Sequence, residues 1–150
     1  MRLYFDCCCY NRPFDDQSQD RIHDESEAIL SIMKRCCASK EDIVLGSTVL
    51  TMEFDKISDK DKKANVLHLA RIIRETIIYS PEVRQRAMEL EQLDTIRKMD
   101  SLHLASAEIG HADIFLSTDD KLIKACRRMQ DILKVKVKNP LFYLAEVNEP

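Results

Sequence analysis

Glycine and proline are scarce, two and four in 150 residues, which argues against collagen-like repeats, low-complexity sequence and long disordered tracts. No apolar run approaches the roughly 20 residues that cross a bilayer. Met1-Arg2-Leu3-Tyr4-Phe5-Asp6 leads directly into a strand-like segment and leaves no room for a signal peptide. A cytoplasmic protein with no membrane partner is therefore expected. The six cysteines fall as Cys7-Cys8-Cys9, Cys36-Cys37 and Cys126, without the C-x2-C spacing of a zinc site. In a reducing compartment they read as small packing residues. Basic surplus is missing too: the net charge of −3 does not advertise a broad phosphate-binding face. Local groups such as Arg84/Arg86 or Lys121/Lys124/Arg127/Arg128 remain candidates for phosphate contacts, and a cluster of acidic ligands would itself lower the net charge.

With 45% hydrophobic and 33% charged residues, the chain can bury a core and keep a solvated surface. Its length suits a single domain spanning 1–150. Short apolar runs alternate with longer amphipathic stretches. Leu3-Tyr4-Phe5 reads as a strand and about Gln17 to Cys37 as a helix, with Ile22, Ile29, Ile32, Met33 and Cys36 at helical spacing. Ile43-Val44-Leu45 is a second strand, after which Ser47 opens a helix carrying Val49, Leu50, Glu53, Phe54 and Ile57. A helix from about Asp59 to Arg74 is expected to bury Leu67, Ala70 and Ile73. Thr76 to Tyr79 follows as a strand, and Ser80-Pro81 starts a helix as N-cap and first helical residue. A further helix follows Asp100 and ends near Gly110, read as a C-cap. Ile114-Phe115-Leu116 is a strand, a helix begins at about Asp119, and Val135/Val137 form the last strand. Asn139-Pro140 reads as a turn into a short terminal segment. Strands alternating with helices predict a three-layer α/β/α sandwich around a mainly parallel sheet.

Ligand sites of such sheets lie beyond the carboxyl ends of the strands, where strand order reverses. Asp6 and Asp119 stand at two such ends, the latter after Ser117 and Thr118. Each alone has an ordinary explanation, because aspartate often caps the element after a strand. Glu53 is more informative. It shares a helix face with Val49, Leu50 and Ile57, where a carboxylate is costly unless paired or bound to metal. Asp100 opens a helix with Leu102, Ala105 and Ile109 on its buried side, and an N-cap role explains it equally well. Gathering these acids in one pocket would cost about 4 kcal/mol per pair at ~4 Å and an effective dielectric near 20. Without a cation some would keep a proton. Hard oxygen donors in that number suit Mg²⁺ or Mn²⁺.

Four segments resemble the motifs of PIN-domain proteins of the VapC-like toxin ribonuclease type. Asp6-Cys-Cys-Cys-Tyr-Asn-Arg-Pro13 is similar to the first motif, Ser47-Thr-Val-Leu-Thr-Met-Glu53 to the second, Met99-Asp-Ser-Leu-His-Leu-Ala-Ser-Ala107 to the third and Phe115-Leu-Ser-Thr-Asp-Asp-Lys-Leu122 to the fourth. They span essentially the whole chain in order, and the third and fourth together are the specific part. The resemblance implies a PIN-like fold with Asp6, Glu53, Asp100 and Asp119 as the catalytic, metal-binding acids. It implies Ser117 or Thr118 positioning water or a ligand carboxylate, with Asn11 and Arg12 on the rim, where Arg12 meets phosphate. It also implies RNA as substrate, a homodimer, and an antitoxin protein as partner of the toxin in a type II pair. Cys7 stands where the family often has a small hydroxyl residue, so one hydrogen bond is expected to be missing there. Asp120 competes for the fourth place, but Asp119 puts Ser117 and Leu122 in register with the motif. His103 reads as a packed or rim residue rather than a general base.

The resulting expectation is a Mg²⁺- or Mn²⁺-dependent endoribonuclease, hydrolysing phosphodiester bonds with metal-activated water to leave a 5′-phosphate and a 3′-hydroxyl. The alternative is a catalytically silent PIN-like module that binds RNA or a protein. A phosphatase of the haloacid-dehalogenase type also begins with an aspartate after an apolar strand. It needs a second aspartate two residues on, where this chain has Cys8.

Overall fold

The computed structural model describes residues 1–149. Five strands form one all-parallel sheet: β1 (Arg2–Phe5), β2 (Ile43–Ser47), β3 (Glu75–Ile77), β4 (Ile114–Leu116) and β5 (Lys136–Lys138), in the order β3-β2-β1-β4-β5. Parallel strands covered on both faces are apolar throughout, and the triplets Leu3-Tyr4-Phe5 and Ile114-Phe115-Leu116 pair residue for residue in the centre. Side chains alternate across the sheet. Leu3, Phe5, Val44, Ile114 and Leu116 enter one core with Ile29, Ile32, Met33 and Cys36 of α2 (Asp20–Ala38). That core also takes Leu50 and Phe54 of α3 (Thr48–Asp55), Val66 of α4 (Lys60–Leu69) and Tyr143 of α8 (Pro140–Asn148). Tyr4, Leu45 and Phe115 enter the opposite core with Leu90 of α5 (Pro81–Leu93), Leu104 and Ala107 of α6 (Lys98–Ile109), and Leu122 and Cys126 of α7 (Asp120–Arg128). The result is a three-layer α/β/α sandwich.

Several boundaries depart from the sequence reading. A short helix, α1 (Cys7–Asn11), follows Asp6 directly, and a 3-10 turn covers Arg12–Phe14. The helix expected to run to Arg74 ends at Leu69 and continues as a 3-10 turn over Ala70–Ile72; Val66 is its buried residue, while Leu67 is exposed. β3 starts at Glu75, so Ile78 and Tyr79 lie beyond it and are exposed. The terminal segment is a helix, α8, for which Asn139 is the N-cap through its side chain (2.8 Å to the Leu141 N–H) and Pro140 the first residue. Gly110 is the C-cap residue of α6 but has φ −77°; the left-handed position falls one residue later, on His111 at φ 57°. Glycine is needed at 110 for space, since a Cβ there would come within 2.6 Å of Ile77 Cδ1. Among the described residues no helix is long and apolar enough to cross a membrane.

Candidate metal centre

From β1 the chain builds outward to β2 and β3 on one side, then crosses back to β4 and β5 on the other. The carboxyl ends of β1 and β4 therefore meet at the point where strand order reverses, the usual ligand position of an open parallel sheet. Asp6 follows β1 there and is 6% exposed. One carboxylate oxygen, Oδ1, accepts from the Cys7 N–H at 2.8 Å and caps α1. The other, Oδ2, accepts from Ser117 Oγ at 2.8 Å and lies 3.5 Å from Cys8 Sγ. Cys7 contributes only its backbone N–H to Asp6. Its thiol is buried, which pushes its pKa up, and receives Asn11 Nδ2 at 3.4 Å.

Glu53 reaches the same place from α3, whose start is fixed by Ser47: its Oγ accepts from the Leu50 N–H at 3.0 Å. The carboxylate is hydrogen-bonded to Nε2 of His103, which α6 delivers one turn after Asp100. His103 is fully buried, and its Nδ1 lies 2.6 Å from the Tyr4 hydroxyl, itself 2.6 Å from Ser47 Oγ. Burial drives the Tyr4 phenol well above its ordinary pKa, so the hydroxyl keeps its proton. Ligand atoms of Asp6, Glu53 and His103 all lie within 4.8 Å of one another. Two carboxylates and one imidazole at that spacing fit a divalent cation, and the donor set is hard enough for Mn²⁺ while including one nitrogen. The apolar stripe on α3 thus carries a partnered carboxylate rather than an orphan.

Asp100 and Asp119 form a second half beside this group, coupled to it by charge, but their carboxylates are not among the ligand atoms that lie within 4.8 Å of one another. Asp100 is not an N-cap: α6 begins at Lys98, Arg97 occupies the cap position, and Asp100 sits in the first turn. Its carboxyl is pushed up to about 6, first by burial and then by the charge of Asp6, with Arg97 pulling the other way. Asp119 is the N-cap of α7, its Oδ1 accepting from Lys121 N at 3.0 Å and Leu122 N at 3.3 Å. Arg97 spans the two acids, with Nε 3.3 Å from Asp100 Oδ2 and Nη2 2.8 Å from Asp119 Oδ2. Ser117 ties this half to the first, since its Oγ also accepts from the Asp119 N–H at 3.1 Å. Asp120, the competitor, points to Arg21, whose guanidinium holds it at 2.8 and 2.9 Å and lowers its pKa.

The rim residues are more occupied than the motif suggests. Arg12 Nη2 donates to Thr118 Oγ1 at 2.8 Å, while Nε stands 3.3 Å from Oε1 of the buried Glu25, close enough for an ion pair but out of line for a hydrogen bond. Its guanidinium pins the turn after α1 to α2 and is not a free arm for phosphate. Asn11 Nδ2 is used by the Cys7 carbonyl at 3.0 Å. Of the basic groups considered for phosphate, Arg86 is held by Glu108 and Arg128 by Asp94. Arg97, an exposed side chain at the mouth of the cluster, was not singled out by sequence, and neither were Tyr4 and Ser47 as polar residues of the site. The i,i+3 spacing of Asp100 and His103 was the one available signal for the histidine.

No family model matches the sequence, and no curated protein does so either. Solved structures do match in fold. A chain of the crystal structure of VapBC2 from Rickettsia felis, bound to a DNA fragment from their promoter, superposes with a TM-score of 0.63 at 13% identity, covering 93% of this chain and 98% of that one. A chain of VapBC-1 from nontypeable Haemophilus influenzae gives a TM-score of 0.58 at 11% identity with the same coverage. The chain therefore has the PIN-like α/β/α fold of these VapBC chains, the fold that its four sequence motifs resemble.

Proposed function

We propose that the protein is a divalent-metal-dependent endoribonuclease, the toxin of a type II toxin–antitoxin pair. The observation that carries this reading is the convergence of Asp6, Glu53 and His103 to within 4.8 Å at the switch point of the sheet. A bound Mg²⁺ or Mn²⁺ would supply activation of water and compensation of charge on the reacting phosphate. The chain's own residues hold and orient. Asp6 and Glu53 offer carboxylate oxygens, fixed by Ser117 and His103 respectively. Asp100 adds charge beside Asp6, and Asp119 closes the outer edge. Arg97, exposed although paired with Asp100 and Asp119, is the cation offered to an RNA phosphate, since Arg12 is already held by Thr118 and Glu25. The same reading takes RNA as substrate, a homodimer as the working form, an antitoxin protein as partner and the cytoplasm as location.

A second reading, the catalytically silent PIN-like module, is favoured by Arg97 itself. Its guanidinium joins Asp100 to Asp119 and offsets one of their two negative charges without any ion. One experiment separates the two. Purified protein is incubated with single-stranded RNA and Mn²⁺, with and without a chelator, alongside Asp6→Asn and Asp100→Asn. The nuclease reading expects 5′-phosphate and 3′-hydroxyl products from the wild type alone, with both variants at the chelated background. Undiminished cleavage by either variant would remove it from the site, and no cleavage by the wild type would leave the silent module.

A further inference from the structure

Ser47, Tyr4 and His103 form a buried hydrogen-bonded chain that ends on Glu53. Ser47 Oγ and Tyr4 Oη are 2.6 Å apart, Tyr4 Oη and His103 Nδ1 are 2.6 Å apart, and His103 Nε2 meets Glu53 Oε1. Tyr4 and His103 are fully buried and Ser47 is 1% exposed, so the protons of the chain must be shared among these groups. With the imidazole neutral, two arrangements are self-consistent. In one, Ser47 donates to Tyr4, Tyr4 donates to Nδ1, and Nε2–H donates to the Glu53 carboxylate. In the other, Nδ1–H donates to Tyr4, Tyr4 donates to Ser47, and Nε2 presents a lone pair. The imidazole carries one proton in both, moved from Nε2 to Nδ1. A lone pair facing a carboxylate is repulsive, so the second arrangement needs a cation between them; the first forbids Nε2 from ligating one.

We propose that Tyr4 is a positioning residue for a divalent cation: by rotating its hydroxyl it selects the His103 tautomer that offers Nε2 as the third ligand beside Asp6 and Glu53. This rests on the reading of that cluster as a cation site. Metal-binding histidines ordinarily donate their other ring N–H to an outer partner that fixes orientation, and here the Tyr4 hydroxyl, from the central strand, is that partner. Nitrogen in the donor set also predicts preference for Mn²⁺ over Mg²⁺.

The test combines two spectroscopies on the full chain. In ¹⁵N-histidine NMR of the metal-free protein, His103 should carry its proton on Nε2. In pulsed EPR of the Mn²⁺-loaded protein, an imidazole ¹⁴N coupling should appear. Tyr4→Phe should raise the Mn²⁺ Kd by about 10–100-fold, while the metal-free His103 keeps its proton on Nε2, held there by Glu53. Mn²⁺ binding without ¹⁴N coupling, a metal-free tautomer already protonated at Nδ1, or an unchanged Kd in Tyr4→Phe would each overturn the proposal while sparing the cation site. Absence of saturable Mn²⁺ binding in the wild type would remove the cation site and the proposal together. Either wild-type readout can overturn the proposal even if Tyr4→Phe fails to fold.

Discussion

At the scale of the residue, the cluster is a set of like charges held together by donors and by one arginine. Asp100 bears most of the strain. Burial and the neighbouring Asp6 lift its carboxyl to about 6 from 3.8, despite Arg97. A raised folded-state pKa stabilises the fold below the unfolded value, and that contribution is lost as pH rises through about 6. Metal-free protein should therefore suffer in full from the ionised Asp100 at neutral pH, less at mildly acidic pH, and not at all below about 3.8. Asp100→Asn, which resembles the protonated form, is expected to raise the melting midpoint near pH 7.5 by about 2–4 °C, on the order of 1 kcal/mol once solvent screening is allowed for. The difference should narrow as pH falls through about 6 and close only below about 3.8, where the unfolded carboxyl is protonated too. Thermal melts of both proteins in chelator across that range check it, and a variant less stable than the wild type at pH 7.5 would show that the Arg97 pair outweighs desolvation.

At the scale of the element, close approach decides more than local propensity. Gly110 lets the end of α6 lie against β3, where Ile77 Cδ1 and Cγ1 would stand 2.6 and 2.8 Å from an added Cβ. Gly110→Ala should cost about 1–3 kcal/mol by overpacking, read in denaturant melts, and most of that penalty should vanish in an Ile77→Ala background. An equal penalty in both backgrounds would place the cause in the backbone instead. The elements also show what the sequence could reveal. Central strands were legible because burial on both faces demands unbroken apolar triplets, and Ser80-Pro81 announced α5 through its capping chemistry. The same Asn-Pro chemistry at Asn139-Pro140 was read as a turn and proved to start α8. α1 was missed since five residues show no periodicity, and α6 begins at Lys98 because Arg97 holds the cap position without a side-chain bond. Strand ends exposed Asp6 and Asp119 as candidates. His103 was read only as a packed or rim residue, and Tyr4 and Arg97 stayed hidden, because their roles exist only once α6, β1 and the loop before α6 are brought together.

At the scale of the whole molecule, the net charge of −3 and the acidic centre no longer conflict with a nucleic-acid role. Acids are concentrated where a cation would offset them, while Arg97 and Lys121 stand at its mouth in one groove with Asp100 and Asp119. Everything depends on that concentration serving to hold an ion rather than merely to pair with Arg97. A crystal soaked in Mn²⁺ and measured for anomalous scattering is the most direct measurement. The account predicts a peak bounded by Asp6, Glu53 and His103, lost in Asp6→Asn crystals. A clean map there at millimolar Mn²⁺, with Nε2 of His103 still against Glu53, would contradict it.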